Sequence, residues 1–339
     1  MNLRRGFYFL IVAAVILGGV ELSVRFLKIA PAIQKNGWWV RDRYIPYKAI
    51  SNSELTHVTD EFKVTYRINS MGFRDVEHTF TKPQGVFRIV AIGDSFTWGQ
   101  GAESEDTYPY QLEATLNSRP GRHPRIEVIN LGICNYFTEP ERLALEYYGK
   151  QFKPDMVLLG FVRNDVVQTG QGINAYTVSR DGYLMTREAD ELGGVGDWLY
   201  IHSHVCRIVL RRYVLSRIEQ RHPLNWDQLC IPGGAHESDW LKVEGEFGKI
   251  KEICRAINSS LVVMSIPEPN YQFCIYAPTR VRNWCVENGV DFFDSAHAIN
   301  DGERDGSLFW EHDPHLKPQG YRIVGRALAG YLDENKLVP

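Results

Sequence analysis

The sequence predicts a three-layer α/β domain around a parallel five-stranded sheet, preceded by one amino-terminal apolar helix. Two observations carry the sheet: five short apolar runs rich in branched residues, at 87–92, 126–131, 156–161, 261–266 and 290–293, and helical patterns between them. A strand covered on both faces reads as a continuous apolar run, and parallel neighbours need a crossover, which the intervening helices supply. The third observation is the run from Phe7 to Val20, which is too long and hydrophobic for a surface helix.

That run comes after Arg4 and Arg5 and is closed by Glu21, Arg25 and Lys28. At ~1.5 Å per residue, Phe7 to Leu27 reaches the thickness of a hydrocarbon core if Glu21 and Arg25 pair one turn apart at the far interface. No small-x-small cleavage site comes after it, so 1–29 reads as an uncleaved signal anchor rather than a removed signal peptide. Basic residues flank both sides; an anchor this early exports the chain beyond it, which puts the main domain in an extracytoplasmic, periplasmic or extracellular compartment.

Residues 30–85 are rich in turn formers and aromatics and read as a stalk with lead-in strands, one at Phe62 to Ile68. The turn Asn69-Ser70-Met71-Gly72-Phe73-Arg74-Asp75 is read as packing rather than as part of a site. The remaining 86–339 form the main domain. Helices are expected at Tyr108 to Asn117, Thr138 to Gln151, about 238 to 257, about 279 to 288 and Pro318 to Asn335. Thr138 with Glu141 reads as a capping box, and Pro318 suits a first helical turn. No core strand is evident from about 166 to 260, so that stretch is read as an insertion over the site edge, with a basic amphipathic segment from Trp198 to Arg221.

The 339 residues are 44% hydrophobic and 23% charged, which fits a folded enzyme, and the net charge of -3 gives no basic field for nucleic acid. Six cysteines show no CxxC pair or Cys/His ligand spacing, so no metal site is expected and they are read as buried free thiols.

Chemistry concentrates in three strand-end or loop segments. Ile89-Val90-Ala91-Ile92-Gly93-Asp94-Ser95 ends a strand in a turn that presents the Ser95 hydroxyl and its own amide where α/β sheets bind ligands. Near the carboxyl terminus, Asp313-Pro314-His315 offers a base for a serine and an acid to orient that base, with Glu311 the alternative acid. Met156 to Phe161 leads into Arg163-Asn164-Asp165, where the Asn164 amide can serve an oxyanion.

Taken in order, these segments resemble the motif blocks of the SGNH (GDSL-like) hydrolases, over roughly Phe87 to Leu332 excluding the insertion. The resemblance implies a flavodoxin-like α/β/α sandwich and a serine esterase needing no cofactor and no metal. It makes Ser95 the nucleophile, His315 the base and Asp313 its orienting acid, with Ser95, Asn164 and a glycine of the second block as oxyanion donors. That block reads Asn130-Leu131-Gly132-Ile133-Cys134-Asn135, so counting places Asn135 where the family has glycine; Asn135 and Gly132 both stand as candidates. The single residue between Asp313 and His315 is the other departure, since many members have two. The expected substrates are acetyl or acyl esters of glycans, lipids or small alcohols. An O-acetyltransferase acting on an exported polysaccharide and a catalytically silent glycan-binding or assembly protein are the alternatives.

Overall fold

The computed structural model describes residues 3–30, 37–121, 124–223, 226–269, 274–303 and 306–339. In chain order the elements begin α1 (Leu3–Phe26), β1 (Trp39–Arg41), β2 (Tyr47–Ala49), β3 (Glu54–Val58), β4 (Lys63–Arg67), β5 (Val86–Gly93), α2 (Ser95–Trp98), α3 (Tyr108–Asn117), β6 (Arg125–Asn130) and α4 (Thr138–Tyr147). They continue β7 (Met156–Phe161), α5 (Asn164–Gln171), β8 (Tyr176–Val178), β9 (Leu184–Thr186), α6 (Arg187–Asp190), α7 (Val195–His202) and α8 (His204–Arg221). The last are α9 (Glu237–Ala256), β10 (Ser260–Ser265), α10 (Tyr276–Asn288), β11 (Asp291–Asp294), α11 (Ala296–Gly302) and α12 (Pro318–Glu334).

The chain forms two compact units. The larger holds Val40–Ile173 and Asn225–Pro339 and contains the parallel sheet, in the order β11-β10-β7-β5-β6. Alternation along each strand sends Ile89, Ala91, Met156, Leu158, Val262 and Met264 to one face, where they meet Tyr108 and Leu112 of α3 and Tyr321, Val324 and Leu328 of α12. Helices α4, α5 and α9 pack together against the other face. The chain steps from β5 to β6 on one side and returns to β7 on the other, so the order reverses at β5. The crevice beyond the carboxyl ends of β5, β6 and β7 is where such a sheet holds a ligand.

The smaller unit holds Met1–Trp39 and Asn174–Leu224. Its α1 contains one 21-residue stretch, Gly6–Phe26, long and apolar enough to cross a membrane. A hairpin of β8 and β9 and helices α6 to α8 complete it, around a small core of Met185, Ala189, Ile201 and Val214.

Two expectations are corrected. Cys230 and Cys274, 44 residues apart, form a disulfide, while Cys134, Cys206, Cys254 and Cys285 are not disulfide-bonded. Such pairing depends on folding bringing two distant loops together, which spacing does not display. The capping box is absent: Phe137 is the N-cap of α4, and Thr138 is already helical. Glu141 points inward instead, fully buried, with neither carboxylate oxygen hydrogen-bonded among the described residues.

Candidate active site

Ser95 opens α2, the four-residue helix directly after β5. The turn is tight enough that a Cβ on Gly93 would lie 2.0 Å from Thr97 Oγ1, so only glycine fits there. Asp94 caps the helix: its Oδ1 accepts the Phe96 N–H at 2.8 Å. Its Oδ2 accepts the Asn164 side-chain amide at 3.3 Å, which joins the end of β5 to the start of α5.

His315 sits in the loop before α12, pinned by a bridge between Phe309 and Leu316 and by Trp310 N–H donating to His315 O at 3.2 Å. Its ring lies 4.7 Å from that of Phe96, centroid to centroid. Nε2 is 2.6 Å from Ser95 Oγ, and Nδ1 is hydrogen-bonded to Asp313 Oδ1. Asp313 Oδ1 also accepts the His315 backbone N–H at 3.0 Å, and Oδ2 accepts Gln100 Nε2 at 2.9 Å. Burial by itself raises the Asp313 carboxyl, but the hydrogen bonds from His315 and Gln100 and the imidazole's charge outweigh it and hold the group well below the usual carboxylate range. An ionised Asp313 accepts the Nδ1–H hydrogen bond and so favours the tautomer whose Nε2 is free to accept the serine hydroxyl. Across the single-residue spacing Asp313 reaches His315, while Glu311 is solvent-exposed with its backbone N–H bound to Glu61.

Gly132 and Asn135 separate on geometry. Gly132 N–H already donates to Asn130 Oδ1 at 2.9 Å, and a Cβ there would approach Trp98 N to 2.5 Å, so this glycine lets the β6 loop pass close to the serine helix. Asn135 is half-buried and adopts the left-handed φ of +59°. The carbonyl of its neighbour Cys134 accepts the Tyr47 hydroxyl at 2.8 Å, which fixes the loop from behind. The four predicted segments thus meet at the switch point, with Asn164 anchored on the residue preceding Ser95.

Several further residues support this arrangement. Gln100 steadies Asp313 from Gly99-Gln100-Gly101, where the paired glycines signal a turn but not its partner. Arg74, 3% exposed, donates to the carbonyls of Trp98 at 2.7 Å, Gly99 at 2.6 Å and Ala102 at 2.6 Å, and lies over the Tyr66 ring. Phe73 beside it is buried edge-on against Tyr148, so the turn is packing, but packing against the loop that carries Ser95. Behind the serine helix, Asp94, Glu141 and Asp165 are all buried acids that repel one another. Burial pushes Asp94 up to about 6 and raises Glu141 and Asp165 well above the carboxylate range. A cleft of about 620 Å³ opens at the carboxyl ends of β7, β10 and β11, bordered by Phe161, Arg163, Glu268, Arg282 and His297.

The family model described as the GDSL-like lipase/acylhydrolase family matches residues 91–323, a segment holding Ser95, Asn135, Asn164 and His315. The chain belongs to the GDSL-like lipase/acylhydrolase family. A curated relative from Mycoplasma pneumoniae, described as an uncharacterized protein, is 31% identical over 148 residues, which is 43% of this chain and 16% of that protein. Similar solved structures have low sequence identity. A catalytic mutant of an acetylxylan esterase from Geobacillus stearothermophilus is 15% identical, with 76% of this chain and 96% of that chain covered and a TM-score of 0.45. A member of the lipolytic G-D-S-L family from Veillonella parvula is 11% identical, with 71% and 96% covered and a TM-score of 0.41.

Proposed function

We propose that this protein is a membrane-anchored serine esterase that cleaves acetyl or acyl esters through a covalent acyl-Ser95 intermediate. One observation carries the proposal: the unbroken hydrogen-bond path from Ser95 Oγ through His315 to Asp313. Ser95 Oγ attacks the ester carbonyl carbon while His315 Nε2 takes the hydroxyl proton, and Asp313 stabilises the imidazolium. The resulting oxyanion is received by the Ser95 and Asn135 backbone amides and the Asn164 side chain; a single such donor is worth roughly 3–4 kcal/mol. The imidazolium then protonates the departing alcohol, leaving the acyl ester on Ser95. Water, deprotonated by the same imidazole, releases the acid and restores the serine.

Attachment through α1 is supported by the Gly6–Phe26 stretch, and an oxidising extracytoplasmic location by the Cys230–Cys274 disulfide. The substrate is a small-molecule, lipid or glycan ester. Hydrolysis of a chromogenic acetyl ester should vanish in Ser95→Ala while the protein keeps its fold, and a fluorophosphonate should label the wild type but not the variant. Wild-type turnover in a folded Ser95→Ala protein defeats the mechanism.

A further inference from the structure

The last turns of α1 are held by charged contacts that a free anchor helix would not need. Glu21 accepts Ser203 Oγ at 3.0 Å, the His204 N–H at 2.8 Å, the Val205 N–H at 3.0 Å and Arg25 Nε at 2.7 Å. Its carboxylate therefore closes the N-terminus of α8, where unsatisfied N–H groups and the helix dipole favour an anion. Arg25 in turn donates to His202 O, the final carbonyl of α7, at 2.6 Å. One acid and one base, a turn apart on α1, thus grip both sides of the α7–α8 corner.

The position of that grip along α1 matters. Gly6 to Val20 at ~1.5 Å per residue gives roughly 22 Å, most of a hydrocarbon core, with Arg4 and Arg5 just before it. A carboxylate receiving four polar contacts belongs at the core's edge and not within it. The corner fastened to Glu21 is then set at headgroup level.

The side chains left outward suit that level. Trp198 of α7 is 56% exposed, with its ring 5.0 Å from that of His202, whose carbonyl Arg25 holds. On α8, Arg207 and Val214 turn inward, Arg207 donating to the Tyr200 and Ile201 carbonyls, and Arg221 is tied to Glu188 and Glu191. Val209, Arg211, Arg212 and Tyr213 face outward. An exposed tryptophan at the end of a span, beside arginines and an apolar residue, is the chemistry of a bilayer interface.

We infer that the α7–α8 corner is a membrane-surface collar, locked to the span by Glu21 and Arg25 and resting Trp198, Arg211 and Arg212 on anionic phospholipid headgroups. This rests on α1 being an uncleaved span.

Full-length protein reconstituted in bilayers of phosphatidylcholine with phosphatidylglycerol, carrying a lipid spin label near the headgroup, gives the test through tryptophan quenching. The collar predicts a loss of quenching in Trp198→Phe relative to wild type. It predicts a similar loss in Glu21→Ala, which frees the corner while the chain stays embedded, and weaker quenching without phosphatidylglycerol. Equal quenching in wild type and Trp198→Phe overturns the collar, including the outcome in which the face meets a soluble partner. Quenching unchanged without phosphatidylglycerol overturns its anionic preference. Alkaline extraction separates the premises: release of the chain from the bilayer defeats the anchor and the collar together, whereas retention with equal quenching defeats the collar alone.

Discussion

Asn135 offers a sharp test of the oxyanion site, because a backbone donor and a side-chain donor respond oppositely to the same substitutions. The residue holds a φ of +59°, a conformation that costs an ordinary L-residue ~1–2 kcal/mol, glycine nothing, and asparagine less than most. If the main-chain N–H is what serves the oxyanion, Asn135→Gly should keep kcat/KM within a few-fold of wild type. Asn135→Ala should lose about tenfold, as roughly 1 kcal/mol of strain turns the amide away. Asn135→Val, β-branched at a positive φ, should lose the whole donor, about 10²- to 10³-fold in kcat. The assay is steady-state hydrolysis of p-nitrophenyl acetate, with thermal melts and circular dichroism to confirm folding. A folded Asn135→Gly protein as inactive as Asn135→Val would mean the side chain, and not the backbone, does the work, and the reasoning would be refuted.

The same geometry sets three other outcomes. Asp313→Asn should lower kcat by about 10⁴-fold with little change in KM, because an amide no longer fixes the Nδ1–H tautomer; a drop under tenfold in initial-rate assays contradicts that role. Replacing Cys230 and Cys274 by serine should cost about 2–4 kcal/mol in denaturant melts, since a bridge across a 44-residue separation restricts the unfolded chain by up to ~4 kcal/mol. Glu141 stays protonated in the native state at pH values where the unfolded chain ionises it, so stability falls as pH rises above the ordinary glutamate range, by up to ~1.4 kcal/mol per pH unit. Glu141→Gln should flatten that slope in urea melts between pH 5 and 8, and identical slopes would argue against a buried neutral acid.

The architecture was largely legible because the physics behind it is local. Met156 to Phe161 reads as a strand from its unbroken apolar run, and Tyr108 to Asn117 as a helix from its periodicity; both have those bounds in the structure. Ser95, Asn164 and His315 stand at strand ends and before a proline-started helix, and the structure brings Ser95 to His315 and Asn164 to Asp94. The hidden features depend on partners far along the chain. Gln100 meets Asp313 across 213 positions, and no pattern near either residue foretells it. Glu141 looked like half of a capping box because that pattern is local, while its burial beside Asp94 and Asp165 is tertiary. The disulfide belongs with these, as the product of a fold rather than of a spacing.

Arg74 bears on where the smallest working version of this protein begins. The three carbonyls it satisfies lie three to seven positions after Ser95, yet the guanidinium itself comes from a turn that precedes β5. A chain shortened to start with β5, or with the segment matched by the family at residue 91, would leave those oxygens facing an empty, dry hole. Recombinant boundaries drawn from family resemblance alone would therefore yield a protein with every reactive group present and its serine loop unbraced.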